Sequence, residues 1–300
     1  MVAAGLHRRG VSLPPTFSAR TARAAGLTRG QLRGQGFVRL GYDLTARMDD
    51  AIDARERLQL LATVLPDDAA FSHATAAAVM GAPIDPPVRP HVVLTPRRVL
   101  PQSSDFVVHA RRLEPEDVAV HAGLRLTSGP QTFLDLAAVL PPQELVAVGD
   151  ALLRHGQLST DALARRLERA ARVRGIARAR TCGPLLSGWS MSRPESLLRY
   201  WLLTSDLPEP CLQVPVFDRQ GRVVAHGDLG YPEWRVLLEY EGRHHAESDQ
   251  FGRDIDRYSL MAADGWLVLR FAARHVGGPS VVVQRTRGAL VSRGWRPTGS

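Results

Sequence analysis

Glu239 and Glu241 stand two residues apart in an apolar run of β character, RVLLEYE, at residues 235–241. Side chains alternate along a strand, so Leu237, Glu239 and Glu241 share one face and Val236, Leu238 and Tyr240 the other. Two carboxylates roughly 7 Å apart on one face of a core strand repel each other, and burying them without partners is costly. Arginines can neutralise them. A divalent cation is the other solution, and Mg²⁺ or Mn²⁺ takes hard oxygen ligands. Asp228, at the end of the preceding β-like run, can reach the same place. Glu195, on a helix expected to pack on this sheet, offers a fourth carboxylate. A cation held there would make hydroxide from water and offset charge on a phosphate. His244 and His245 follow the strand. An imidazole titrates near neutral pH and can serve as a base or hold a phosphate, though such a pair can equally cap a loop. Arg243, Arg253 and Arg257 can grip phosphates bidentately. Asp254 and Asp256 read as salt-bridge partners of those arginines.

The elements that must position these residues are legible nearby. Ser192 caps a helix running to about residue 204, with Pro194 in its first turn and Glu195 at capping-box spacing. Residues 213–217 and 223–228 are β-like and joined by a Gly-containing turn, which predicts a hairpin. Residues 235–241 form a third strand. Residues 250–263 are amphipathic, with Phe251, Ile255, Tyr258, Leu260 and Met261 as candidate core. Gly265 ends that helix, residues 266–271 form a fourth strand, and a last helix spans 279–293. The order is α-β-β-β-α-β-α.

Upstream, residues 50–64 and 72–80 have helical spacing, with Ser72 as a cap. Three β-like runs follow at 91–95, 106–110 and 123–127, then amphipathic helices at 128–140, 143–153 and 159–172. This α+β stretch carries no evident chemistry and reads as a connecting region. His73, His91 and His109 are scattered singly, with no metal-ligand spacing, and read as structural or surface residues. The Arg-rich tail from Arg165 to Arg180 reads as a solvated helix face, with contact to nucleic acid as the lesser alternative.

The chain has 300 residues and a formal net charge of +8, and all 38 basic residues are Arg. The absence of lysine excludes phosphate-loop ATPases, Schiff-base enzymes and protein kinases. Residues 1–42 hold seven Arg and no Asp or Glu, so nearly the whole surplus lies at the amino end. There, residues 18–25 and 29–33 predict two short helices around Gly26, with Thr28 capping the second. The β-like run 37–45 that follows suits a wing. Arg29, Arg33 and Arg39 would lie on the recognition helix and wing, within reach of phosphate oxygens. A small helical cap with a solvated basic face is the alternative. The two cysteines make neither a disulfide framework nor a four-ligand zinc site. The start lacks the apolar core of a secretion signal, and no apolar run approaches the ~20 residues of a membrane span. A cytoplasmic protein with no membrane partner is the expectation.

Two resemblances extend this reading. FSARTARAAGLTRGQLRG and the β-like run after it resemble the amino-terminal winged helix of AbiEi-type antitoxins. RPE (193–195), HGD (226–228), LEYEGRHH (238–245), FGRDIDR (251–257) and GWLVLRF (265–271) resemble the PD-(D/E)xK nucleases, in particular their very-short-patch-repair-endonuclease-like branch. That likeness implies Asp228 and Glu239 as ligands of Mg²⁺ or Mn²⁺, with the Tyr240 carbonyl beside them and Glu195 as an outer or second-metal carboxylate. It places Glu241 where most of these nucleases carry a lysine, and it offers His244 or His245 (His245 the one favoured) as a base or a phosphate holder. Gly227 stands where their first motif has proline. The expected fold is α+β overall: a winged helix at 1–48, an α+β connecting domain at 49–185 and a restriction-endonuclease-like α/β domain at 190–296. The implied partners are DNA and a cognate toxin or other defence protein. The implied activity is endonucleolytic, in repair or defence; a non-cutting, DNA-binding regulator of antitoxin type is the alternative.

Overall fold

A computed structural model describes residues 13, 16–33, 37–41, 44–47, 53–63, 65–100, 106–217, 220–241 and 259–297. The fold is mixed α+β, as expected. It divides into two compact units, residues 1–79 with 85–128 and residues 80–84 with 129–300.

The first unit opens with β1 (Thr16–Ser18) and α1 (Ala19–Ala24). The Ser18 hydroxyl accepts the Thr21 N–H at 3.0 Å and caps α1. Gly26, at φ +80°, turns the chain out of it. The helix expected at 29–33 is shorter than the sequence suggests, a single 3₁₀ turn at Gln31–Arg33. Thr28 and Gln31 close on each other: Gln31 Oε1 accepts the Thr28 N–H at 2.8 Å, and Thr28 Oγ1 accepts the Gln31 N–H at 3.3 Å. The expected wing is an antiparallel hairpin of β2 (Phe37–Gly41) and β3 (Leu44–Arg47), and β1 joins it in the order β1-β3-β2. Leu13, Phe17 and Ala22 form its small core.

Helix α2 (Ala54–Ala62) follows, closed by an Asp53–Glu56 capping box. Then come β4 (Ala70–Phe71), α3 (His73–Val79), β5 (His91–Leu94), β6 (Val107–Ala110), β7 (Val118–His121) and β8 (Leu124–Thr127). They build a mixed sheet in the order β6-β5-β4-β8-β7. Strands β4 and β7 lie outside the sequence expectation. The first has only two residues, and the second leaves Val120 75 % exposed, so neither carries a readable burial pattern.

The second unit begins with α4 (Gly129–Ala137), α5 (Pro142–Arg154), α6 (Thr160–Arg169) and α7 (Ile176–Cys182). Helix α7 lies beyond the last helix expected at 159–172 and includes the end of the Arg-rich tail. The unit continues with α8 (Arg193–Leu203), β9 (Cys211–Phe217), β10 (Val223–Tyr231), β11 (Val236–Glu241), β12 (Leu267–Ala272), α9 (Ala273–Val276) and α10 (Pro279–Ser292). The sheet order is β12-β11-β10-β9. It is antiparallel except for β11 and β12, which run parallel and therefore need a crossover between them. Residues 259–263 of that crossover are helical.

The predicted alternation of β11 holds. Val236 and Leu238 pack with Leu197, Leu198 and Leu202 of α8 and Leu290 of α10. Leu237 packs on the opposite face with Val214, Val216, Ala225 and Met261. Met261 is core, as expected, whereas Leu260 is 42 % exposed, a correction to its reading as core. The other expected core residues of that helix, Phe251, Ile255 and Tyr258, lie outside the described residues.

Candidate functional site

Glu195 sits in the first turn of α8, whose amino end is held by Ser192: its hydroxyl accepts the Glu195 N–H at 3.4 Å. The carboxylate reaches one residue further back than a capping box would, and accepts the Met191 N–H at 2.9 Å. Glu195 is only 7 % exposed. Burial, and after it the negative charge of Asp228, pushes its pKa up.

Helix α8 is locked to α5 by a buried ion pair. Arg199 Nη2 donates to both Asp150 oxygens, at 2.9 and 2.8 Å. The same carboxylate also accepts the Ser196 hydroxyl at 2.8 Å and the Ser187 N–H at 2.7 Å. Helix α5, outside the 190–296 segment, thus helps set where Glu195 lies.

Asp228 lies where the β10–β11 ladder changes character. The pairing runs Tyr231↔Val236, Gly230↔Leu237, Leu229↔Leu238. The ladder pairing stops there: the Tyr240 N–H donates to the Asp228 side chain, Oδ2 at 2.8 Å. Glu239, the residue before Tyr240 on β11, is buried, 2 % exposed.

On the other flank, Gln213 of β9 takes φ +48°, a left-handed conformation inside a strand. Its Nε2 donates to Glu195 Oε2 at 3.3 Å. The strand changes faces at this residue: Leu212 packs on the α8 side and Val214 on the Leu237 side. Gln213 is a site residue that sequence reasoning missed, because a positive φ at a non-glycine leaves no mark in composition. Gly227 allows close approach, since an added Cβ there would lie 2.7 Å from Leu237 Cδ2.

The structure thus brings Glu195 into electrostatic contact with Asp228 and ties Asp228 to the backbone of β11. Glu241 goes elsewhere: it forms an ion pair with Arg270 of β12, and both side chains are partly exposed. His245, with His244, Arg243, Arg253, Arg257, Asp254 and Asp256, lies outside the described residues. Arg29 and Arg33 are exposed, and Arg39 lies on β2.

The arginine-rich tail has structural duties. Arg178 Nη1 donates to the carbonyl of Ala137, the last residue of α4, at 3.0 Å. Arg180 Nη2 donates to the Leu167 and Ala170 carbonyls at the end of α6, at 3.1 and 3.2 Å. These bonds satisfy carbonyls that helix ends leave open. Arg166 is buried and bonds Gln131 Oε1 at 2.7 Å.

The histidines that look scattered in sequence are gathered in space, a correction to their single-residue reading. His91 begins β5, His109 lies on the adjacent parallel β6, and His73 begins α3. His91 Nδ1 and His109 Nε2 are 3.0 Å apart. The His73 and His109 rings stack with centroids 3.8 Å apart. Among the described residues, the ligand atoms of these three all lie within 4.8 Å of one another. Burial first, and then neighbouring positive charge, holds His73 down at about 3 and His109 at about 4, and also lowers His91. The spatial signal comes from sheet register, which places His109 beside Val93, two residues after His91 on the same face.

No family profile matches this chain, and no curated protein matches it. Among solved structures it is similar to the RV2827C protein from Mycobacterium tuberculosis, with 16 % identity and a TM-score of 0.41, over 67 % of this chain and 79 % of that one.

Proposed function

We propose that this protein is a metal-dependent endonuclease-like enzyme that hydrolyses DNA phosphodiesters in repair or defence. Asp228 and Glu239 would hold Mg²⁺ or Mn²⁺, with Glu195 as an outer carboxylate. The observation that carries this reading is the burial of two carboxylates, Glu195 at 7 % and Glu239 at 2 % exposed, on the helix and the strand next to β10, which carries Asp228. Buried carboxylates are costly unless a proton, hydrogen-bond donors or a cation neutralises them, and all-oxygen donors fit a hard divalent ion. That ion, when bound, supplies a water of lowered pKa and offsets charge on the scissile phosphate. The chain's own residues supply the rest. Tyr240 N–H and Gln213 Nε2 orient the Asp228 and Glu195 carboxylates. Glu195, with its raised pKa, is suited to carry a proton to the leaving oxygen. Arg29, Arg33 and Arg39 provide backbone-phosphate affinity, and Arg243, Arg253 and Arg257 lie in the segment after β11, which would meet the cleaved strand.

A second reading is favoured by one observation. Glu241, at the position where the resembled nucleases carry lysine, is engaged by Arg270, so no cation on β11 stands ready to orient the attacking water. In this reading the protein is a DNA-binding regulator of antitoxin type, with a toxin or other defence protein as partner and no cutting.

Plasmid nicking separates the two. Wild type with Mg²⁺ or Mn²⁺ should convert supercoiled DNA to the nicked form, with losses of at least about 10²-fold in Asp228→Asn and Glu239→Gln, the scale on which single catalytic groups act. Equal cutting by all three proteins assigns the activity to a contaminant. DNA binding by wild type with no cutting supports the regulator.

A further inference from the structure

We propose that His73, His91 and His109 form a site for a divalent transition metal of the Zn²⁺ class, separate from the carboxylate site. Three imidazoles are a frequent ligand set for Zn²⁺, Co²⁺, Ni²⁺ and Cu²⁺ and a poor one for Mg²⁺. Metal–nitrogen bonds of about 2.0–2.1 Å in a tetrahedral site set the nitrogens roughly 3.3 Å apart. The His91 Nδ1 to His109 Nε2 separation of 3.0 Å is a few tenths of an ångström short of this, and all three ligand atoms fall within 4.8 Å. The His73 and His109 rings stack at 17°, so binding one ion requires the ring planes to rotate until the three nitrogens converge.

The surroundings are built to hold the rings. The Ser72 N–H donates to the His91 carbonyl at 2.9 Å, and the His91 N–H donates to Thr75 Oγ1 at 2.8 Å. Helix α3 is thereby pinned beside the first residue of β5. Ser72 and Thr75 are both buried. His73 Nδ1 lies 3.0 Å from Ser72 Oγ, an outer hydrogen bond of the kind that fixes which ring nitrogen faces a metal; here it leaves Nε2. His73 also adopts φ +52°, a strained backbone that this framework maintains. The rings are half-buried, so an ion and a water in the fourth position can reach them.

Metal ligands must be neutral imidazoles. The cationic groups acting on the cluster are Arg111, on His73 and His109, and Arg89, on His91. They oppose a dication as they oppose a proton. Imidazole donors favour Zn²⁺, Cu²⁺ and Ni²⁺ over Mn²⁺.

The test is titration of Co²⁺ into the tag-free full chain, followed by visible absorption and then Zn²⁺ displacement. The expected result is one Co²⁺ per chain with imidazole ligand-field bands, displaced by Zn²⁺. The affinity read from those bands should fall at least tenfold in His91→Ala and in His109→Ala. If a histidine variant fails to fold, the Co²⁺-loaded wild type decides, through paramagnetically shifted proton resonances from three imidazoles. Absence of such bands in wild type, their survival in both folded histidine variants, or shifted resonances from fewer than three imidazoles would overturn the site.

Discussion

Glu195 is a carboxyl whose folded pKa lies above its unfolded one, because of burial and then Asp228. Its stabilising contribution is therefore full below about pH 4.3 and is lost as pH rises through the folded value. Glu195→Gln removes that loss while keeping an acceptor for the Met191 N–H. Its melting temperature should exceed that of wild type at pH 7, and the gap should close toward pH 4. The histidine cluster has the opposite pH profile. Its folded pKa values lie below the unfolded 6.5, so its contribution is complete above about pH 6.5 and drains as pH falls toward 4. Denaturant titrations should show about 2 kcal/mol lost between pH 7 and 4, discounted for the solvent that half-exposed rings meet. His73→Asn should flatten that slope. The acids were legible in sequence because strand alternation is a local property, and Glu239 is buried as the pattern implies. The histidine cluster was not legible: its members come from a helix start and two strands joined only by register. The pairing of Glu241 with Arg270 escaped for the same reason, since the parallel alignment of β11 with β12 creates it.

Helix α8 carries Glu195, and its placement depends on a charge pair sealed from water. Asp150 is fully buried and Arg199 is 5 % exposed. Asp150→Ala would strand a buried guanidinium and should cost about 3–5 kcal/mol in chemical denaturation. At β10, Gly227→Ala would press a methyl against Leu237 and should cost about 1–3 kcal/mol, read the same way. Elements with strong local signals were readable. The Ser192 cap, the hairpin of β9 and β10, and the alternation of β11 follow from spacing and turn chemistry alone. Elements defined by partners were not. β4 is two residues long. α7 is a seven-residue helix whose Arg178 and Arg180 bond the ends of neighbouring helices, and its basic composition reads as solvated. The face change at Gln213 depends on tertiary packing and its bond to Glu195.

Across the whole molecule, the excess positive charge sits in an acid-free amino-terminal stretch that ends in the β2–β3 hairpin, while the crowded carboxylates sit in the second unit. Under the proposed function, the basic stretch would hold a phosphate backbone and the carboxylates would offer oxygen ligands. Arg29→Gln with Arg33→Gln should weaken duplex binding and reduce the log–log salt slope by roughly 1 for each phosphate that is no longer neutralised, measured by fluorescence anisotropy across salt concentrations. Among the described residues no helix is long and apolar enough to cross a membrane. The α+β class was readable from element order, whereas the extent of the second unit, with α4 to α7 in the same unit as the four-stranded sheet, rests on long-range packing that sequence spacing does not encode. The central claim is that Asp228 and Glu239 hold a divalent cation. Calorimetric titration of Mn²⁺ addresses it most directly, done in a His91→Ala/His109→Ala background so that imidazoles contribute nothing. The account predicts one ion bound per chain with micromolar affinity, and none when Asp228→Asn or Glu239→Gln is added. Binding of equal strength in all of these proteins, or no binding in the parent, would contradict it.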